Sequence, residues 1–244
     1  RKMADNFALV RKAELEVEDA YDPKVHDDFF TSFDWEKCTD EEFLLCPPIV
    51  ALGGDGAMYD IGFQNLSRLL ASGKPIRVAV LDTQVYSNTG GQACTSGFLG
   101  QVSDMATYGK AQHGKKEPRK ELGLIAIAHR MSFVVQTSQA VPAHLLGSIL
   151  RGLASRRPAV FNIYCPCQTE HGIPDSASEG NAKLALESRA YPYFVYDPDG
   201  GEWLADRLDL DGNPSVDQEW PTYELKYKDE NGKDQVMELP VTVA

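Results

Sequence analysis

Four residues, Gly53-Gly54-Asp55-Gly56, stand between a short apolar run and a helix-spaced one, and no other feature restricts the fold as much. Pro48-Ile49-Val50-Ala51-Leu52 leads into them. After them Ile61, Phe63, Leu66, Leu69 and Leu70 recur at helical spacing until Ser72-Gly73-Lys74-Pro75 stops them. The glycines therefore occupy a strand-to-helix turn. Glycine there lets a phosphate approach the backbone, and the helix N-terminus offers it unpaired N–H groups and a partial positive charge. Asp55 would repel that phosphate unless a divalent cation stood between the two anions. Magnesium suits the position, because it takes oxygen ligands shared between carboxylates and substrate phosphates.

The next apolar run, Ile76 to Leu81, ends at Asp82-Thr83. Asp55 and Thr83 thus lie just past the carboxyl ends of successive strands, 28 residues apart, the length of one helix and one returning strand. In an open parallel sheet those ends share the edge at which ligands bind. The pattern reads as a magnesium-diphosphate clamp built by one βαβ unit.

Gly54-Asp55-Gly56 followed after 26 to 28 residues by an oxygen-ligand loop resembles the thiamine-diphosphate motif. The longer segments Gly53-Gly54-Asp55-Gly56-Ala57-Met58-Tyr59-Asp60-Ile61-Gly62 and Asp82-Thr83-Gln84-Val85-Tyr86-Ser87-Asn88-Thr89-Gly90-Gly91-Gln92 are similar to one family, the pyruvate:ferredoxin (flavodoxin) oxidoreductases, over roughly residues 48 to 197. The resemblance implies that Gly54, Asp55 and Gly56 line the cofactor, that Asp55 and Thr83 bind magnesium through their side chains, and that Val85 binds it through its carbonyl. Asn88 would stand beside the thiazolium and the substrate, as the catalytic residue of this stretch. Thr83 occupies a place where thiamine enzymes in general have Asn, which fits this branch and not ordinary decarboxylases.

The same resemblance implies coenzyme-A-dependent oxidative decarboxylation of a 2-oxoacid, pyruvate foremost, with electrons passing singly through iron–sulfur clusters to ferredoxin or flavodoxin. Tyr164-Cys165-Pro166-Cys167 with His171-Gly172 downstream matches the context of the remote fourth ligand of a 4Fe–4S cluster, and the matching residue is Cys167. Cys165 has no counterpart duty. The other three cluster cysteines and the glutamate that activates the cofactor belong, in the family, to other sequence. The chain, which begins Arg-Lys and ends Val-Thr-Val-Ala, accordingly reads as a piece of a longer polypeptide that is catalytically incomplete alone and works with other domains of the same enzyme, as a homodimer.

A formal charge of −12 disfavours nucleic-acid and anionic-membrane surfaces, which call for basic patches. No run reaches the roughly 18–20 apolar residues that span a bilayer, and no signal pattern opens the chain, so a cytoplasmic, soluble protein is expected. Five cysteines, Cys38, Cys46, Cys94, Cys165 and Cys167, are an odd number and argue against a secreted disulfide framework. Cys165 and Cys167 with His171 supply only part of a zinc site. Cys38 and Cys46 match no metal spacing.

In chain order, residues 1–47 are charge-rich and read as an arm or interdomain connection, 48–197 as the thiamine-diphosphate/magnesium-binding domain, and 198–244 as a C-terminal extension. Helix is expected over about 60–71, with Asp60 as its N-cap, over 122–130 and over 143–154; strands over about 48–52, 76–82, 132–137 and 159–164. The alternation predicts an α/β fold with a doubly wound, mostly parallel sheet whose strand ends open on one side. Residues 86–118 form a long polar loop region whose first half would wrap the diphosphate, with a short helix around Val102 to Tyr108. Lys115, Lys116, Arg119 and Lys120, in the basic stretch from Lys110, read as solvated, with an anion site the alternative. His129 and His144 read as structural, and His113 has no recognisable hydrolase context. Tyr223 to Tyr227 and Gln235 to Leu239 flank Asn231-Gly232 as a hairpin. Two rival readings are a thiamine-dependent lyase or synthase without iron–sulfur chemistry, which Cys167 and the 83–88 segment oppose, and a non-catalytic scaffold, which Asp55, Thr83 and Asn88 oppose.

Overall fold

The computed structural model describes residues 2–104 and 114–241. The chain divides into two compact units, Arg1–Ile49 and Val50–Ala244.

In the first unit the charge-rich stretch is helical: α1 Lys2–Val17, α2 Pro23–Thr31 and α3 Asp40–Leu45. Local chemistry sets two of the starts. Asp22 accepts the Lys24 N–H at 2.9 Å ahead of Pro23, and Thr39 and Glu42 form a reciprocal capping box. Ala4, Phe33, Cys38 and Phe43 are buried together, with Phe7 and Trp35 packed against them. Cys38 is thus a core residue, as burial alone would have it.

The second unit runs β1 Ile49–Gly54, a π-helical turn Gly56–Ile61, α4 Phe63–Leu70, β2 Ile76–Asp82, the small ribbon β3 Val85–Tyr86 and β4 Gln92–Ala93, α5 Leu122–Ala128, β5 Phe133–Ser138, α6 Pro142–Ala154, β6 Ala159–Tyr164, α7 Gln168–His171, α8 Ser178–Glu187, β7 Phe194–Tyr196, α9 Leu204–Arg207, β8 Leu208–Asp209, and the hairpin β9 Thr222–Lys228 with β10 Asp234–Pro240. Six strands make one sheet in the order β1-β2-β6-β5-β7-β8. β2, β6 and β5 are parallel, with Asp82 and Ser138 both level with Tyr164. β7 and β8 add antiparallel to the far edge.

Alternation along the strands covers both faces of this sheet. Val78, Val80, Val134 and Val160 pack with Leu66 and Leu70 of α4 and Leu122 and Ala126 of α5. Their neighbours Ala79, Phe133, Val135, Ala159 and Phe161 pack with Ile149 and Leu153 of α6. The sheet is therefore doubly wound and largely parallel, as the βα alternation predicts.

Three local expectations change. The helix expected over 60–71 is preceded by a π turn closed by the Gly62 N–H on the Ala57 carbonyl at 2.8 Å; a Cβ on Gly62 would lie 2.5 Å from that oxygen, so glycine is what admits the extra residue in the turn. Asp60 consequently sits inside this turn and caps nothing. The N-cap is Asp55, which accepts the Gly56 N–H at 2.7 Å.

The short helix around Val102 to Tyr108 is absent over 102–104, where Asp104 instead bridges to Gln92; its remainder, with Lys110 and His113, lies outside the described residues. The hairpin forms as read, from Thr222 opposite Pro240 to Lys228 opposite Asp234. His129 and His144 are structural: His129 bonds Ser67 and the Ile125 carbonyl, while His144 bonds Thr137 and stacks on Tyr193. Among the described residues no helix is long and apolar enough to cross a membrane.

Candidate active site

The edge where β1 and β2 end brings the two halves of the sequence motif together. Asp55 is buried, and its Oδ2 accepts the Thr83 N–H at 2.9 Å and the Thr83 hydroxyl at 3.1 Å. The Thr83 hydroxyl lies 2.9 Å from the Val85 carbonyl and accepts a bond from the Ser87 hydroxyl at 2.8 Å. The Thr83 hydroxyl thus stands within hydrogen-bond range of both a carboxylate and a main-chain carbonyl. Gln84, between Thr83 and Val85, holds φ at 64°, a left-handed value uncommon outside glycine and met often where a loop is bent for function. Its N–H donates to Asp82 Oδ1 at 3.0 Å, and that bond fixes the bend presenting the Val85 carbonyl.

Gly56 is the second indispensable glycine. A Cβ there would lie 2.2 Å from the Tyr86 ring, so the turn carrying Asp55 and the strand carrying Val85 pack face to face with no room for a side chain.

Asp82 is a residue that the strand pattern did not single out, because it reads simply as the end of an apolar run. It is wholly buried and accepts the Tyr59 hydroxyl at 2.9 Å; Tyr59 in turn accepts from Asn162 Nδ2 at 2.7 Å. Burial, reinforced by the nearby Asp55 charge, pushes the Asp82 carboxyl up to about 7. Burial also raises Asp55, against the donors Gly56, Thr83 and Gln84. Among the described residues neither carboxylate has an ion-pair partner. Two buried anionic groups side by side are what a divalent cation relieves, and an all-oxygen donor set of carboxylate, hydroxyl and carbonyl has the hardness that magnesium takes. The residues present fit that ion.

The end of β6 meets the same edge. The Cys165 N–H donates to the Asp82 carbonyl at 2.9 Å, and His171 donates from Nε2 to the Thr83 carbonyl at 3.0 Å. Cys165 is half-buried, its thiol pushed up to about 11 by burial and the Asp82 and Asp55 charges. Cys167 is half-buried at the N-cap of α7, where its carbonyl accepts the His171 N–H at 2.9 Å. Among the described residues no three His, Cys, Asp or Glu side chains gather as a metal centre. Asn88 lies in a single 3-10 turn, Ser87–Thr89, and is exposed. The Gly90-Gly91 bend is tied by the Ser87 and Tyr86 carbonyls, and the Asn88 side chain takes no part in it.

A cleft of about 1570 Å³ opens beside this loop, bounded by Gln84, Val85, Gly91, Tyr164, Glu170 and His171.

The basic stretch departs from its solvated reading. Lys115 is buried and donates to the Gly97 carbonyl at 2.6 Å; Arg119 pairs with Glu121, bonds the Ala190 carbonyl and lies over Tyr191; Lys120 bonds the Tyr59 carbonyl and lies 3.7 Å from Asp60. Lys115 and Lys120 thus give donors to main-chain carbonyls of the 94–101 loop and the π turn, and Arg119 gives one to that of Ala190. Lys116 alone of the four is exposed.

Residues 44–163 match the family described as thiamine pyrophosphate enzyme, C-terminal TPP binding domain. Over the same region the chain is a homologue of the pyruvate:ferredoxin and pyruvate-flavodoxin oxidoreductases. It is 35% identical over 159 residues to the pyruvate:ferredoxin oxidoreductase of Moorella thermoacetica, covering 65% of this chain and 13% of that protein. It is 32% identical over 146 residues to the pyruvate synthase subunit PorB of Pyrococcus horikoshii, covering 60% of this chain and 44% of the subunit. The chain therefore spans about an eighth of the first relative and under half of the second. A solved 2-oxoglutarate:ferredoxin oxidoreductase from Magnetococcus marinus, with 2-oxoglutarate, coenzyme A and succinyl-CoA bound, is 18% identical at a TM-score of 0.44, over 53% of this chain and 44% of that one. The assignment rests on the sequence matches.

Proposed function

We propose that this chain binds thiamine diphosphate through magnesium and forms the cofactor domain of a 2-oxoacid:ferredoxin or flavodoxin oxidoreductase, with pyruvate as substrate and coenzyme A as acyl acceptor. The observation that carries this reading is the meeting of Asp55, Thr83 and the Val85 carbonyl at the ends of two neighbouring strands, near a second buried carboxylate, Asp82, that has no counter-charge among the described residues. Thiamine diphosphate, when bound, supplies the carbon nucleophile and electron sink for decarboxylating a 2-oxoacid. The chain's own part is to hold and orient it.

Asp55, Thr83 and Val85 would hold the metal, and Gly54 and Gly56 keep side chains away from the diphosphate. Asn88, exposed and with its side chain outside the Gly90-Gly91 bend, can donate to or accept from a ligand without changing protonation. Cys167, on the same edge, would give one ligand to a 4Fe–4S cluster whose other ligands come from other sequence. The activating glutamate likewise comes from another domain, so the fragment alone would be inactive and the working enzyme a dimer. Ferredoxin or flavodoxin as acceptor goes with a cytoplasmic location.

The test is calorimetric titration of the full-length parent enzyme. Thiamine diphosphate should bind only with a divalent metal, and Asp55→Ala should remove binding. Asp55→Asn should be milder, since one neutral oxygen ligand survives. Unchanged affinity in Asp55→Ala would refute the assignment.

A further inference from the structure

The densest hydrogen-bond junction next to the site is Asp60, which stands inside the π turn. Its Oδ2 accepts the Tyr86 hydroxyl at 2.9 Å, the Cys94 thiol at 3.2 Å and the Thr95 N–H at 3.3 Å. Its Oδ1 accepts the Thr95 hydroxyl and faces Lys120 Nζ at 3.7 Å. Cys94 is buried, so this is an interior knot and not a surface ion pair. Four hydrogen-bond donors and one ammonium group, from three separate segments, meet on one carboxylate.

Tyr86 is the informative partner. It follows Val85, whose carbonyl faces the Thr83 hydroxyl, and its ring lies against Gly56, next to Asp55. Ring and hydroxyl together span from the strand carrying the Val85 carbonyl to the turn carrying Asp55. The distance between those two oxygens is thus set by a chain of contacts running Val85, Tyr86, Asp60 and back along the π turn to Asp55. An α-helical turn would carry Asp60 round to a different heading, which gives the π turn a reason to exist here.

We infer that Asp60, acting through Tyr86, is a positioning residue that sets the width of the metal clamp and makes it select magnesium over larger divalent cations. This rests on the proposed thiamine-diphosphate reading and deepens it. Magnesium demands near-ideal octahedral geometry at about 2.0–2.1 Å, whereas calcium accepts flexible surroundings at about 2.3–2.6 Å. A clamp braced at fixed width favours the smaller ion. One released by a few tenths of an ångström accommodates the larger.

The experiment measures thiamine diphosphate affinity in the full-length parent enzyme with Mg²⁺ and, separately, with Ca²⁺, for the wild type, Tyr86→Phe and Asp60→Asn. Tyr86→Phe removes only the hydroxyl and keeps the ring on Gly56, so it remains informative should Asp60→Asn fail to fold. The ratio of magnesium-supported to calcium-supported affinity is expected to fall about tenfold in Tyr86→Phe, the size of one hydrogen bond to a charged group, and further in Asp60→Asn. A ratio that stays at the wild-type value, whether both affinities fall together or neither moves, overturns the inference and leaves Asp60 a purely structural knot. Failure of the wild type to bind thiamine diphosphate with either metal overturns the proposed function itself, and this inference with it.

Discussion

Asp82→Asn should make the metal-free protein more stable at alkaline pH and flatten its pH dependence. In the fold Asp82 is wholly buried, touches Tyr59 and the Gln84 N–H, and lies close enough to Asp55 to feel its charge. Its carboxyl rises from an ordinary 3.8 to about 7. Between those values the folded chain holds a proton that the unfolded chain has released, so unfolding loses a proton and stability falls as pH rises. The favourable contribution is complete below about pH 4 and is gone once the pH passes 7. At about 1.36 kcal/mol per pH unit, the interval corresponds to roughly 4 kcal/mol as a ceiling, a large share of the 5–15 kcal/mol typical of a domain.

Asparagine copies the protonated acid in shape and charge while still accepting the Gln84 N–H, so the variant should behave at every pH as the wild type does in acid. The assay is urea unfolding of this chain with divalent metal chelated, at intervals from pH 4.5 to 8.5. Wild-type stability should decline by a few kcal/mol across that range, and the variant should not share the decline. Equal slopes for the two proteins, or a flat wild-type profile, would refute the argument that Asp82 pays a burial cost as an anion. Adding Mg²⁺ should restore much of the wild-type stability near pH 8, since the cation supplies the charge that Asp55 and Asp82 lack.

In the full-length enzyme, Cys165→Ala should retain every iron–sulfur signal by electron paramagnetic resonance while Cys167→Ala loses one cluster; the reverse pattern would mean that the roles of the two thiols are exchanged. Asn88→Ala should bind thiamine diphosphate and magnesium normally but lose roughly 10²–10³ in kcat, the cost of one transition-state hydrogen bond. Weak cofactor binding with near-normal kcat at saturation would instead make Asn88 a loop residue.

By itself the sequence determined the class of fold and the meeting of Asp55 and Thr83 at one edge of the sheet. Apolar runs of strand length alternating with helix-spaced ones can bury both faces of a sheet in few ways, and β2, β5 and β6 with α4 to α6 follow that pattern closely. Asp55 and Thr83 were legible because backbone direction alone carries successive strand ends to one edge. What only the tertiary structure decided are the relations that depend on side-chain contacts between distant segments. Asp60 looks like a helix cap until Gly62 opens the turn by one residue and Tyr86, Cys94 and Thr95 arrive from elsewhere. Lys115, Arg119 and Lys120 look solvated until the loop folds them onto buried carbonyls and carboxylates. Charge in a sequence states only what a residue carries; whether water or another group answers it is settled by packing, because a buried charge must find a partner that sequence distance does not reveal.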